Sequence, residues 1–228
     1  MKKINIDDKE MIFIDDLISD PDDLSAIIIS SEKENEERIK TILNYNIGNA
    51  LIVEITGISW DDDLTPWPAP AVFKGAAPYK GLADNYLRFI EDKVLFAVKE
   101  NYPGVNRFIM AGYSLGGLFA IYTGYRSSCF DTLVSCSGSL WYPEFEAYFE
   151  NNDLDPIVKK VYLSLGDKEK NTRNPLMSKV EDITNKYHDH LKSKGLKTIF
   201  ELNEGNHFKD SDLRLAKGLK WAVDKSSE

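Results

Sequence analysis

The stretch Asn106-Arg107-Phe108-Ile109-Met110-Ala111-Gly112-Tyr113-Ser114-Leu115-Gly116-Gly117-Leu118-Phe119 carries the residues best suited to covalent chemistry. A serine hydroxyl is a weak nucleophile at neutral pH, so it must be held clear of its own backbone and close to a base. Gly112-x-Ser114-x-Gly116 meets the first need. The Phe-Ile-Met run before it suits a buried strand, and Leu118, Phe119, Ile121, Tyr122 and Tyr125 after it recur at helical spacing. A chain that passes from strand to helix this abruptly needs small residues two positions either side of the serine, which is the nucleophile-elbow pattern. The helix that starts there leaves the backbone N–H of Leu115 without an acceptor and directed to where a tetrahedral oxyanion would form.

A base and a group to orient it are the remaining requirements. The chain has 3 histidines. His188 and His190, two apart on an amphipathic helix, point to different sides of it and are expected to be solvated rather than to bind a metal. His207 lies in Glu204-Gly205-Asn206-His207-Phe208, a turn after the last expected strand, where the chain order nucleophile, acid, base puts the base. Three carboxylates could accept its Nδ1 proton. Glu204 sits beside the histidine in a turn and is expected to be solvated. Asp167 directly follows Gly166 and is expected to brace that turn through an Asx-type bond to its own backbone. Glu169 has the reach of an extra methylene. Trp60, Trp67 and Trp141 follow strands whose ends should converge on Ser114, and are expected to wall a pocket for an aromatic or bulky group, with packing over the sheet as the plainer role.

These groups need a frame that collects them. Apolar, β-branched runs predict strands over 11–14, 24–29, 50–55, 132–136, 158–165 and 197–202 besides the elbow strand, with 11–14 at the sheet edge as the only strand-like run in the first twenty-odd residues. Amphipathic spacing predicts helices over 34–45 and 83–101, one from Asn174-Pro175 that Gly195 terminates, and one over 210–223. Strands alternating with helices over short connections imply a single α/β domain, a mostly parallel sheet with helices on both faces. Ligands on such sheets bind outside the carboxyl ends of the strands, where Ser114, Trp141, Glu169 and His207 all fall. The long loop holding Trp60, Pro66, Trp67, Pro68 and Pro70 is too aromatic to be expected disordered and is read as functional.

The 228 residues suffice for one large core, and 43% hydrophobic with 29% charged residues suit a soluble globular protein. Aspartates at 7, 8, 15 and 16 stand where an export signal would need apolar residues, no apolar run reaches the length of a membrane span, and Cys129 and Cys136 suit reduced thiols. A cytoplasmic location is expected, with no membrane partner. The net charge of -9 argues against a nucleic-acid partner, whose phosphate backbone selects basic surfaces. No residue set calls for a cofactor or a metal.

Five stretches together resemble the bacterial esterase family of the α/β-hydrolase superfamily that includes the enterochelin-esterase-like enzymes. They are Asp63-Leu64-Thr65-Pro66, Gly112-Tyr113-Ser114-Leu115-Gly116-Gly117-Leu118-Phe119, Ser137-Gly138-Ser139-Leu140-Trp141-Tyr142, Gly166-Asp167-Lys168-Glu169 and Gly205-Asn206-His207-Phe208. The resemblance implies an α/β-hydrolase fold and hydrolysis of a small-molecule ester, with Ser114 as nucleophile, His207 as base and the acid after Gly166. It favours Glu169, three residues beyond that glycine, where the family carries its acid. Two departures stand out. The family's Asp-Gly or His-Gly pair after the first central strand is replaced by Ser30-Ser31-Glu32, and its arginine upstream of Asp-Leu-Thr-Pro by the Gly57-Ile58-Ser59-Trp60 region, so the N-terminal part reads as trimmed. A second oxyanion donor would then be a backbone N–H near Ser31 or Ile58. Competing readings are a thioesterase or small peptidase with the same three residues, and a ligand-binding pseudoenzyme with an impaired oxyanion hole.

Overall fold

The computed structural model describes residues 1–224. One eight-stranded sheet runs through it in the order β1-β2-β4-β3-β5-β6-β7-β8. The strands are β1 (Lys2–Ile6), β2 (Lys9–Ile14), β3 (Leu24–Ser30), β4 (Ala50–Thr56), β5 (Val105–Tyr113), β6 (Thr132–Cys136), β7 (Lys160–Gly166) and β8 (Lys197–Asn203). β1, β2 and β4 pair antiparallel, and every pairing from β4 through β3 to β8 is parallel. Parallel strands inside the sheet are buried on both faces, which explains their continuous apolar runs: β3, β4 and β7 contain no residue outside the buried class.

Helices cover both faces: α1 (Glu36–Asn44), α2 (Trp60–Asp63), α3 (Ala83–Phe89), α4 (Leu95–Asn101), α5 (Leu115–Arg126), α6 (Phe145–Asn151), α7 (Val180–Ser193) and α8 (Ser211–Val223). Helices α3 to α7 pack on one face through Leu87, Val98, Phe119, Phe149 and Tyr187. The other face is covered by α1 and α8 through Ile39, Ile42, Leu215 and Leu219. Among the described residues no helix is long and apolar enough to cross a membrane.

Three local expectations are corrected. The run at 11–14 is not an edge: Met11 to Ile14 are at most 1% exposed, and the edge is β1, whose five residues are too short and lysine-rich to read as a strand alone but pair with β2 from Lys2 to Ile6. Short, lysine-bearing strands are how sheets keep an edge from recruiting another chain. The helix over 83–101 is interrupted by a π-helical turn at Ile90–Val94 between α3 and α4, which keeps Ile90 and Val94 fully buried. Asn174 does cap a turn, accepting from the N–H groups of Leu176 (3.0 Å) and Met177 (3.3 Å), but that turn leads into a 3₁₀ segment, and α7 begins only at Val180.

Helix α8 reaches the sheet because Gly218 lets its backbone approach. A Cβ there would lie 2.7 Å from Val134 Cγ1 and 2.9 Å from Tyr162 Cδ1. Alanine has a helix preference worth about 1 kcal/mol over glycine, while overpacking a core typically costs about 1–3 kcal/mol. Because both blocking groups are held in the sheet, the packing cost outweighs the helix gain. Gly218→Ala is therefore expected to lower stability in urea titration by about 1–2 kcal/mol; a variant more stable than wild type would show that α8 can lift off the sheet freely.

Candidate active site

Ser114 follows β5 with φ 58° and ψ -121°, a conformation that L residues rarely adopt. A backbone held there costs on the order of 1–3 kcal/mol and persists only where its surroundings fix it. Two hydrogen bonds do so: the Ser114 N–H donates to the Cys136 carbonyl at 3.1 Å, and the Ser139 N–H donates to the Ser114 carbonyl at 3.0 Å. Of the two motif glycines only Gly112 is sterically obligatory, since a Cβ on it would sit 2.2 Å from the carbonyl of Gly116. A Cβ on Gly116 would merely touch Trp60 Cη2 at 3.6 Å. Leu115 is the first residue of α5, so its N–H has no intrahelical acceptor.

The turns after β7 and β8 are laced together and bring Glu169 and His207 to the elbow. Lys168 N–H donates to the Gly205 carbonyl (3.0 Å), and Asp167 Oδ1 accepts from the Gly205 N–H (2.8 Å). Asp167 therefore braces the histidine's loop across the gap rather than its own turn, as the sequence had suggested. His207 Nδ1 stands 2.7 Å from Glu169 Oε2, and His207 Nε2 stands 3.1 Å from Ser114 Oγ. Glu204 is turned away and pairs with Lys209 at 2.8 Å.

Glu169 is the most constrained side chain of the site. Its second oxygen, Oε1, accepts from Ser137 Oγ (2.6 Å), the Gly166 N–H (2.6 Å) and Arg214 Nη1 (3.2 Å). Burial pushes its carboxyl up, but the bonds from His207, Ser137 and Gly166 outweigh that and leave it below its ordinary value. A carboxylate so held is ionised at neutral pH and accepts the Nδ1 proton, which leaves Nε2 free to accept from Ser114. Arg214 is 1% exposed and reaches this cluster from α8, also donating to the Glu204 carbonyl at 3.1 Å. Tyr113 closes the network by donating to the His207 carbonyl at 2.7 Å, and burial pushes its phenol up to about 12, so it remains a donor.

A cavity of about 240 Å³ opens over Ser114, walled by Trp60, Phe73, Tyr79 and Trp141, with Leu115 and His207 at its base. Two of the three tryptophans expected there line it. Trp67 does not: its Nε1 donates to the Pro143 carbonyl at 2.9 Å, and its ring packs among Tyr122, Tyr142, Phe145 and Tyr148. Proline-rich chain turns it into the cap of the core, the plainer of the two roles. His188 and His190 are half-buried rather than solvated, against Phe200 and Phe149 respectively. Ser31 is excluded as an oxyanion donor, because the β3–β4 ladder continues one residue and its N–H donates to the Ile55 carbonyl at 2.9 Å. Ile58 is packed in the core, whereas Trp60, the first residue of α2, lines the cavity together with Leu115. Among the described residues no group of three or more His, Cys, Asp or Glu could hold a metal.

Arg214, Ser137, Tyr113, Tyr79 and Asp61 were not picked out from the sequence. Arg214 had one available signal, a charge inside the inward-facing stripe of α8 next to Leu215 and Gly218.

The lowered Glu169 carboxyl has a consequence for stability. A carboxyl whose folded value lies below its unfolded one stabilises the fold above the unfolded value, near 4.5, and that contribution disappears as pH falls through the folded value. Wild type should exceed Glu169→Gln in thermal stability at pH 7, and the gap should narrow steadily below pH 4.5. A gap independent of pH between 3 and 7 would mean that the carboxylate's charge is not what holds the cluster.

Residues 32–209 match a family model described as "Putative esterase". The uncharacterized protein YbbA of Bacillus subtilis (strain 168) is 27% identical over 175 residues, covering 72% of this chain and 70% of its own. The fold is similar to that of an IroE-like serine hydrolase from Shewanella oneidensis (TM-score 0.76, 18% identity, 93% of this chain and 74% of the other). It is also similar to that of the siderophore hydrolase EstB from Aspergillus nidulans (TM-score 0.74, 19% identity, 100% of this chain and 96% of the other). With the matched segment running from the end of β3 to the histidine loop, the chain belongs to this esterase family of carboxylic-ester hydrolases and has its α/β-hydrolase fold.

Proposed function

We propose that the chain hydrolyses carboxylic esters through an acyl-enzyme on Ser114. The observation that carries this reading is the unbroken series Ser114 Oγ, His207 Nε2, His207 Nδ1, Glu169 Oε2, with spacings of 3.1 and 2.7 Å across its two contacts, at the base of an aromatic cavity. In this mechanism Ser114 Oγ attacks the ester carbonyl as its proton passes to His207 Nε2, and the imidazolium is stabilised by Glu169, which keeps its negative charge. The carbonyl oxygen becomes an anion held by the N–H of Leu115 and, as second donor, by that of Trp60, whose place at the start of α2 leaves it without an intrahelical acceptor. Collapse breaks the bond to the alkoxy oxygen, which takes the proton from His207. Water then attacks the acyl-enzyme by the same path, His207 receiving its proton and returning one to Ser114.

Structural neighbours named as siderophore hydrolases make siderophore esters the substrates to try first. Free Cys129 and Cys136 support the reading that the reaction takes place in a reducing compartment such as the cytoplasm.

The reading predicts that a fluorophosphonate labels wild type and that Ser114→Ala abolishes both labelling and turnover of aryl, alkyl and siderophore esters. A wild type that stays unlabelled and hydrolyses none of them refutes it, and a thioester turned over much faster than its oxygen analogue would shift the substrate class. Trp141→Ala should raise KM for an aryl ester at least several-fold more than for a short alkyl ester, because a lining indole contributes stacking as well as area. Equal effects on the two would make Trp141 only a structural wall.

A further inference from the structure

The cavity holds polar groups that the ester chemistry leaves unused. Asp61, Tyr79 and Ser139 all line it alongside Ser114. The neighbouring acids of α2 are engaged: Asp62 pairs with Lys80 Nζ at 2.6 Å, and Asp63 accepts from the Ser59 N–H at 2.9 Å. Glu169 is neutralised from behind by Arg214 at 3.2 Å. Among the described residues no hydrogen bond or ion pair engages the Asp61 carboxylate, and none engages the Tyr79 hydroxyl, although Tyr79 is only 7% exposed. The two are close enough for the charge of Asp61 to act on the Tyr79 phenol. Among the described residues no lysine or arginine lines the cavity.

Aromatic walls alone would suit any neutral aromatic or bulky group. The unpaired carboxylate adds discrimination. Asp61 lines the cavity while remaining exposed, so an anionic group entering beside it would be repelled by its charge, whereas an ammonium would gain both a counter-ion and the aromatic rings of Trp60, Trp141 and Phe208. We infer that this cavity takes esters bearing a protonated or quaternary amine near the scissile carbonyl, with Asp61 as counter-ion, the Tyr79 hydroxyl beside it and the aromatic side chains as a cation–π wall. The inference deepens the ester-hydrolase reading and depends on it for the role of the cavity.

The test uses three nitrophenyl esters with the same chain: 4-(trimethylammonio)butyrate, its neutral isostere 5,5-dimethylhexanoate, and the glutarate half-ester. Wild type should favour the cationic ester over the isostere by about tenfold in kcat/KM and disfavour the glutarate, a scale set by one close charge contact at a partly wet site. Asp61→Asn should bring the cationic-to-neutral ratio near one, and Asp61→Lys should invert it in favour of glutarate. Calorimetry of butyltrimethylammonium on Ser114→Ala gives a readout that needs no turnover: binding should be detectable and should weaken at least fivefold when Asp61→Asn is added. A wild-type ratio near one, or a preference that survives Asp61→Asn, overturns the inference even when Ser114-dependent hydrolysis is normal. Hydrolysis that survives Ser114→Ala would instead refute the serine mechanism, leaving the calorimetric arm to decide the subsite.

Discussion

Glu169 carries its negative charge with only 5% of the side chain exposed. An unpaired charge at such depth would cost several kcal/mol and would be relieved by protonation or by opening of the structure. The fold meets this with donors from four separate segments: the end of β6 (Ser137), the end of β7 (Gly166), the loop after β8 (His207) and the inward face of α8 (Arg214). Satisfying one carboxylate therefore fixes the relative placement of three strand ends and the last helix. Close approach is possible because Gly166 has no side chain: a Cβ there would lie 2.9 Å from both Nη atoms of Arg214 and 2.3 Å from the Gly205 carbonyl. Arg214 is thus a positioning residue, acting on His207 through Glu169, through the Glu204 carbonyl of the same turn and through Tyr113, whose hydroxyl it contacts at 3.3 Å.

The strain at Ser114 depends on the same frame. Its left-handed φ is unfavourable locally, and it is held by bonds to Cys136 and Ser139, one residue before and two residues after Ser137. One short turn after β6 therefore supports Ser114 on one side and Glu169 on the other. This couples Ser114 and Glu169, far apart in sequence, through the short segment Cys136-Ser137-Gly138-Ser139. A second polar cluster lies under the neighbouring strand ends, where Arg38 reaches Ser31, Glu54 and Asp212. Burial pushes the Glu54 carboxyl up despite Ser31 and Arg38, so that cluster ties α1 and α8 to β4 with a weaker electrostatic hold than the one around Glu169.

The loop between β4 and α3 supplies what the sheet cannot. It is pinned by the Ala69–Tyr79 bridge and by Tyr142 donating to the Trp67 carbonyl at 2.6 Å. Gly81, at φ 70°, passes so close to Trp67 that a Cβ would fall 2.1 Å from its carbonyl carbon. Once pinned, the loop sends Trp67 into the core and Trp60, Asp61, Phe73 and Tyr79 to the cavity. The character of the cavity is therefore decided by a segment without regular strand or helix over most of its length.

What the sequence determined by itself was local. Helical spacing, buried-strand runs and the Gly-x-Ser-x-Gly turn are patterns of near neighbours, so the parallel sheet, the flanking helices and the elbow at Ser114 could be read from them, as could the late position of His207. Tertiary structure decided whatever depends on which distant segments meet. That Lys2–Ile6 is a strand follows only from its pairing with β2, and that Trp67 faces the core while Trp60 faces the cavity follows from loop contacts that no periodicity encodes. The same holds for which of Glu169 and Asp167 meets His207. Both carboxylates follow β7 by a few residues, and they differ only in what the turn after β8 and helix α8 bring against them: a backbone N–H for Asp167, and an imidazole with a buried guanidinium for Glu169.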